Sequence, residues 1–369
     1  MSDYNIAVIP GDGIGIEVVA EGLKVLTSAA ERAGIGLSFD HFPWGAGHWL
    51  KHRVALPPDA IETLGAYDAI YLGAVGLPGQ VPESVGVGQV VLGIRSGFDQ
   101  FANVRPVRPI PGCPWYLGHR RPEDIDFVVI REATEGFYCN VGGRFAPDAP
   151  EVEDIIALRS AFGESAEIAV QTGIFSEAGC RRVIRFAFEL ARKRNGKKKV
   201  TSTTKSNALT HAMGMWDEIF EQVAAEYPDC EHDWMHVDAM SMRFITNPER
   251  FDVVVADNLF GDILTDLSAA LVGGLGFAPG GNLSQTGPSM FEPPHGSAPD
   301  IMGKGIANPI AAILTAAFMM EMLGEMQVAE AIRAAVTTVV SNGIALTPDA
   351  GGCATTEQVG DAVTATIAI

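Results

Sequence analysis

Several things are missing from this sequence, and each absence removes a class of function. Its five cysteines, Cys113, Cys139, Cys180, Cys230 and Cys353, are widely scattered and include no C-x-x-C pair. That excludes a disulfide framework or a thiolate zinc site and points to free thiols in a reducing compartment. Positive charge is scarce: 26 Lys and Arg stand against 45 Asp and Glu, a formal charge of −19. Such a chain has no broad basic face to neutralise phosphates, so nucleic acid is not an expected partner. Long apolar runs are missing too. The most apolar stretch, Ile310 to Met320, is too short for a bilayer, which takes about 20 residues, and reads as a buried helix. The start, MSDYNIAVIPGDG, lacks the basic-then-apolar order of a secretory signal. The expectation is a cytoplasmic protein with no membrane association.

What remains is a folded globular composition, 47% apolar and 19% charged, over 369 residues. Apolar runs alternate with amphipathic segments. Strands are expected at Tyr4–Pro10, Gly36–His41, Tyr67–Gly73, Asp126–Glu132, Val200–Thr204, His232–Met240 and Phe251–Ala256. Helices are expected at Asp59–Leu64, Glu177–Arg194, Ala208–Ala225 and from Ile263 to Leu271. The Gly- and Pro-rich stretch 76–90 reads as a long loop, residues 139–165 as irregular, and 273–300 as another Gly- and Pro-rich connection before a largely helical end. This is an α/β pattern with a mostly parallel sheet.

The first turn, Gly11-Asp12-Gly13-Ile14-Gly15, lies where a Rossmann dinucleotide loop would be, and Asp40 could pose as its ribose acid. Ile16 stands where the third glycine of G-x-G-x-x-G belongs, so the spacing fails. His232 and His236 are four apart, but their segment is strand-like and lacks the Glu beside the first His that a zinc-protease helix carries.

The segment Asp257 to Asp266, DNLFGDILTD, is more specific. Asp262 and Asp266, four apart at the start of a helix, share one face, and two carboxylates without His or Cys suit a hard divalent ion. Acids in a first helical turn also simply complement the helix dipole. Asp238 closes the strand from His232. Lys205 ends the strand VTSTTK beside a helix start, a setting suited to a proton acceptor, though it is equally an ordinary lysine in a basic region. Arg95, Arg105 and Arg131 stand in or after apolar stretches, where a guanidinium fork needs a partner such as a carboxylate. Tyr138 lies in the glycine-bracketed loop GFYCNVGG.

Five collinear segments, IPGDGIG at 9–15, FANVRP at 101–106, TKSNA at 204–208, NLFGDILTD at 258–266 and HGSAPDIMGKGIANP at 295–309, together resemble the β-decarboxylating dehydrogenases. That family includes isocitrate, 3-isopropylmalate, homoisocitrate and tartrate/D-malate dehydrogenases, and the resemblance runs from about residue 5 to 365. It implies a two-domain isopropylmalate dehydrogenase-like α/β fold with a mixed, mostly parallel sheet rather than a Rossmann dinucleotide fold. Residues 1–106 and 271–369 would form the larger cofactor-binding domain, and residues 107–270 the smaller one with the dimer interface.

By the same resemblance Arg95, Arg105 and Arg131 clamp the substrate carboxylates, and Asp238, Asp262 and Asp266 bind Mg²⁺ or Mn²⁺. Lys205 helps remove the hydroxyl proton and Tyr138 protonates the enol product. Lys205 and Asp238 would serve the active site of the other subunit, which makes a homodimer the smallest competent unit. NAD is the implied cofactor. An acid at Asp300, followed by Ile301, accepts from the ribose hydroxyls and repels a 2′-phosphate. His295, Gly296, Ser297, Ala298 and Asn308 would hold the adenine side, with Asn207 and the 11–15 loop near the nicotinamide.

The chain departs from the family pattern at Ile16, where proline is usual, and at Ala133 after Arg131-Glu132. It also departs before Arg95, where Val90, Val91 and Leu92 offer no partner to a third carboxylate. The implied substrate is a small malate-type dicarboxylate, D-malate or tartrate ahead of 3-isopropylmalate. A 2-hydroxy-acid dehydrogenase that releases no CO₂ is the alternative outside the family.

Overall fold

In the computed structural model, residues 3–118, 120–153 and 166–369 are described. Ten of the twelve strands among the described residues form one sheet. They are β1 (Asp3–Gly11), β2 (Gly36–His41), β3 (Ala69–Ala74), β4 (Ala102–Val107), β5 (Phe127–Glu132), β8 (Lys199–Thr204), β9 (Glu231–His236), β10 (Val253–Ala256), β11 (Gly281–Leu283) and β12 (Ser289–Phe291). The order is β2-β1-β3-β12-β11-β4-β5-β10-β8-β9. The two flanks are parallel, whereas β12–β11, β11–β4 and β4–β5 pair antiparallel in the middle. The sheet is therefore mixed and mostly parallel. β6 (Gly136–Phe145) and β7 (Ile168–Ile174) form a separate antiparallel ribbon.

The central strands are buried along their whole length: AIYLGA in β3, FVVIRE in β5 and VVVA in β10. Strands covered on both faces become continuous apolar runs, which is why these are readable in the sequence. Eight helices of ten or more residues accompany the sheet among the described residues. They are α1 (Gly15–Ala33), α2 (Glu177–Arg194), α3 (Thr210–Ala224), α4 (Val237–Thr246), α5 (Asn258–Leu271), α6 (Ile310–Leu323), α7 (Met326–Ser341) and α8 (Thr356–Thr366). Helix α6 is apolar nearly all round because it lies between α1, α7 and the sheet, with no face left for water. None of the described helices is long and apolar enough to cross a membrane.

The structure corrects several local expectations. Stretch 76–90 contains a helical turn, Glu83–Gly86, and a π-helical turn, Val87–Val91, that runs into the short helix Leu92–Gly97. Part of the stretch expected to be irregular, residues 139–145, is strand β6, and β11 and β12 lie inside the Gly- and Pro-rich 273–300. Strand β9 stops at His236, so Asp238 sits in the first turn of α4 instead of ending a strand. Helix α5 starts at Asn258, not Ile263, with the Asp257 carboxylate accepting from the backbone N–H groups of Leu259 and Phe260. Asp257 fills the N-cap. Asp262 and Asp266 thus lie beyond the first turn, where dipole compensation no longer accounts for them.

Candidate active site

Arg131, the penultimate residue of β5, is buried beneath the start of α5. Gly261 makes that approach possible: a Cβ there would lie 2.6 Å from Arg131 Cβ and Cγ. The guanidinium donates through Nε to Asn258 Oδ1 at 2.9 Å and through Nη1 to Asp262 Oδ1. The other Asp262 oxygen accepts from Tyr138 Oη at 2.6 Å, and the Arg131 guanidinium lies 5.0 Å from the centre of the tyrosine ring. Tyr138 sits on β6 within a register shift between Gly136 and Val141, a bulge that re-aims its side chain toward α5. Burial, followed by the hydrogen bond to Asp262, raises the Tyr138 pKa above the ordinary tyrosine value.

One helical turn further on, Asp266 is exposed and engages in no hydrogen bond or ion pair among the described residues. Two oxygen-only ligand side chains on one helical face fit a hard divalent cation. Asp238 is not with them. It pairs with Lys205 Nζ at 3.0 Å, and that hydrogen bond holds its carboxyl below the usual range. Neither residue shares a hydrogen bond or ion pair with the Asp262 cluster, and no three metal-ligating side chains come together, among the described residues. The expected sites thus fall into two groups within one chain: Arg95, Arg105, Arg131, Tyr138, Asp262 and Asp266 in one, Lys205 and Asp238 in the other.

Arg105, on β4, is pushed down to about 10 by burial, against the opposing pull of Glu292. Its Nε donates to Asn103 Oδ1 at 2.9 Å. Arg95, in the helix Leu92–Gly97, donates through Nη2 to Glu292 Oε1 at 2.7 Å. Burial favours the neutral form of Glu292, but the guanidiniums of Arg95 and Arg105 outweigh it and keep this carboxyl below its ordinary value. Arg95 Nε and Arg105 Nη1 are buried with no hydrogen-bond partner among the described residues. Two unsatisfied donors on guanidiniums close enough to repel each other suit an anionic ligand.

Of the apolar residues before Arg95, Val90 and Val91 point into the core with Ile94, and only Leu92, 48% exposed, remains outside. It lies three residues before Arg95 and therefore on the same helical face. Glu292, Asn103, Asn282 and Asn258 do not stand out in the sequence. The available signal is the Glu292-Pro-Pro-His295 spacing just before the HGSAPD motif.

The expected cofactor residues form a second locality. The loop before α1 packs against segment 295–298: Ile14 N–H donates to Ser297 O at 2.9 Å, and a Cβ on Gly13 would collide with that same carbonyl. Ser297 is buried, Ala298 adopts φ +39°, and Ala298 and Ile301 lean on Ile14, Val18, Ala307 and Ala312. His295 Nδ1 lies 3.1 Å from Gly296 O, its Nε2 is buried and unpartnered, and burial lowers its pKa. Asp300 and Gly296 are exposed, and Asn308 is tied to Asp349 at 3.0 Å and to the Ile310 N–H at 3.0 Å. An orphaned ring nitrogen, a strained alanine and an exposed acid on one loop suit a dinucleotide. Asn207 is exposed in the turn after β8, next to Lys205. Asp12 is a brace for the backbone. Its buried carboxylate accepts from the N–H groups of Ala46, Gly47 and Gly76 at 2.7–2.9 Å and holds the loops beside β1.

Known proteins match this chain over nearly its whole length. The chain is 46% identical to the decarboxylating D-malate dehydrogenase of Escherichia coli, with 98% of each chain covered. It is 45% identical to the tartrate dehydrogenase/decarboxylase of Pseudomonas putida, covering 99% of this chain and 98% of that one. Among solved structures, the isocitrate dehydrogenase of Methylococcus capsulatus superposes with a TM-score of 0.85 at 35% identity over 98% of this chain and 99% of its own. The isocitrate/isopropylmalate dehydrogenase family model matches residues 5–363, and the chain belongs to that family.

Proposed function

We propose that this protein catalyses the NAD- and divalent-metal-dependent oxidative decarboxylation of a malate-type (2R)-2-hydroxy dicarboxylate, with D-malate or a tartrate as the best fit. The observation that carries the proposal is the convergence of Arg131, Tyr138 and Asp262, with Arg95 and Arg105 alongside. Three guanidiniums, two of them with free buried donors, match two carboxylates. The relatives named for D-malate and tartrate support the choice of substrate class.

Asp262 and Asp266 would hold Mg²⁺ or Mn²⁺, and segment 295–301 with Asn308 would hold NAD; Asp300 would accept from the ribose hydroxyls and repel a 2′-phosphate. When bound, NAD⁺ supplies the hydride acceptor and the cation polarises the hydroxyl and ketone oxygens. The protein's own groups do the rest. The arginines orient both carboxylates so that one C–H and one C–C bond face their acceptors. Tyr138, kept protonated by its surroundings, returns a proton to the enol carbon after CO₂ leaves. Lys205 takes the hydroxyl proton in the site of a second copy of the chain. That assignment rests on the separation of the Lys205–Asp238 pair from the Asp262 cluster, and it makes a homodimer the working unit. Residues 1–106 with 271–369, and residues 107–270, form two domains on either side of the site.

A second reading, 3-isopropylmalate, has one observation in its favour: the exposed Leu92 beside Arg95 offers an apolar surface to a C3 substituent. The test is NADH formation from D-malate, the tartrate isomers, 3-isopropylmalate and isocitrate, with Mn²⁺ or EDTA, while CO₂ is trapped. Metal-dependent NADH with matching CO₂ on D-malate or tartrate is the expected result. NADH without CO₂, or activity indifferent to EDTA, overturns the proposal.

A further inference from the structure

Three polar side chains and four hydrogen bonds link two of the arginines through the middle of the sheet. Arg105 Nε donates to Asn103 Oδ1 at 2.9 Å, Asn103 Nδ2 to Asn282 Oδ1 at 2.6 Å, and Asn282 Nδ2 to Glu292 Oε1 at 2.8 Å. Arg95 Nη2 closes the chain on the same Glu292 oxygen at 2.7 Å. The geometry points to Glu292, with Asn282 and Asn103, as the positioning device of the substrate clamp, fixing Arg95 and Arg105 relative to each other so that they present their free donors to one carboxylate. This rests on the substrate class proposed above.

Three features argue for positioning rather than simple core filling. Asn103 and Asn282 are fully buried and Glu292 is 6% exposed, so every polar atom placed there costs desolvation that an apolar residue would avoid. The asparagines are directly opposed across β4 and β11, so the relay follows sheet register and holds its geometry as rigidly as the strands do. Finally, Glu292 is the one carboxylate bonded to Arg95, and Arg105 is within its electrostatic reach. Two neighbouring guanidiniums repel each other, and a single anion between them sets their separation without consuming Arg95 Nε or Arg105 Nη1.

The test compares wild-type protein with Glu292→Gln, which keeps size and hydrogen-bonding capacity but removes the charge. D-malate affinity is measured by calorimetry on the Mg²⁺-loaded dimer without NAD, alongside steady-state kinetics and thermal melting. A clamp contributes to substrate and transition state alike, so KM and Kd should rise about tenfold or more while kcat stays within about threefold. A double-mutant cycle with Arg95→Lys should be non-additive, because the second change removes what the first has already loosened. Should Glu292→Gln not fold, Asn282→Ser decides in its place, with about a threefold rise in KM expected. A lower melting temperature with unchanged KM and Kd in the folded variant would show a merely structural role and overturn the inference. If wild-type protein binds none of the dicarboxylates, the functional proposal fails instead, and the two failures are told apart.

Discussion

Tyr138 and Asp262 meet at 2.6 Å, strand against helix, while Arg131 bonds the other oxygen of the same carboxylate. One side chain thus orients both the phenol and the guanidinium. Replacing Tyr138 with Phe keeps the ring under the Arg131 guanidinium but removes the O–H. The expected outcome is a fall in kcat of about 10²-fold or more with KM changed much less. Steady-state kinetics on D-malate checks it, and an unchanged kcat would remove Tyr138 from the chemistry.

The two groups of site residues yield a test by complementation. Lys205→Ala and Asp262→Asn should each inactivate the homodimer. Co-expressed, they form mixed dimers in which one of two sites has an intact Lys205 from one subunit and an intact Asp262 from the other. Purified mixed dimers should regain about half of wild-type activity per dimer. Were both residues used within one chain, the mixed dimer would stay inactive.

The proposed role of Asp300 in cofactor preference gives a third test. Changing this residue to Lys replaces repulsion of a 2′-phosphate with attraction, and the ratio of kcat/KM for NADP over NAD should rise about tenfold or more. Initial rates with the two cofactors measure this, and an unchanged ratio would refute the ribose role.

Asp257 links the site to stability. Burial pushes its carboxyl from 3.8 up to about 7. The folded state therefore keeps a proton that the unfolded chain has already released between those two pH values. Stability falls as pH rises through this window, and the full penalty is present above it. Asparagine cannot ionise but still caps α5, so Asp257→Asn should be more stable than wild type by roughly 2–4 kcal/mol at about pH 8. The gap should close below about pH 4. Urea unfolding at both extremes decides it, and a gap independent of pH would reject the assignment.

The legible parts of this molecule share a physical cause. Buried strands such as FVVIRE and the helix Glu177–Arg194 carry their pattern in consecutive residues, and helix α2 has the bounds its pattern implies. Asp238 departs from its expected place because β9 runs into α4 at His236, where no side chain caps the helix to mark the change. Strand β6 hides in the sequence because the glycines of GFYCNVGG signal turns, whereas here they accommodate the ribbon with β7. The relay through Glu292 is out of reach for another reason. Its members sit at 103, 282 and 292, and only the pairing of β11 with β4 on one side and β12 on the other makes them neighbours. The family motifs contain Arg105, Asp262 and Asp266; what holds the arginines is long-range.

The antiparallel seam has a mechanical meaning. Asn103 faces Arg131 across β4 and β5, so Arg105, two residues along, is the diagonal neighbour of Arg131 on the same face. Ladder hydrogen bonds fix that diagonal at about 7–8 Å between backbone positions. These two arginines behave as the fixed jaw of a caliper. Arg95, the other jaw, rides on a six-residue helix entered through a π-helical turn and is tied to the sheet by its bond to Glu292. The sheet is thus the scale on which all three guanidiniums are spaced, two by strand register and the third through Glu292.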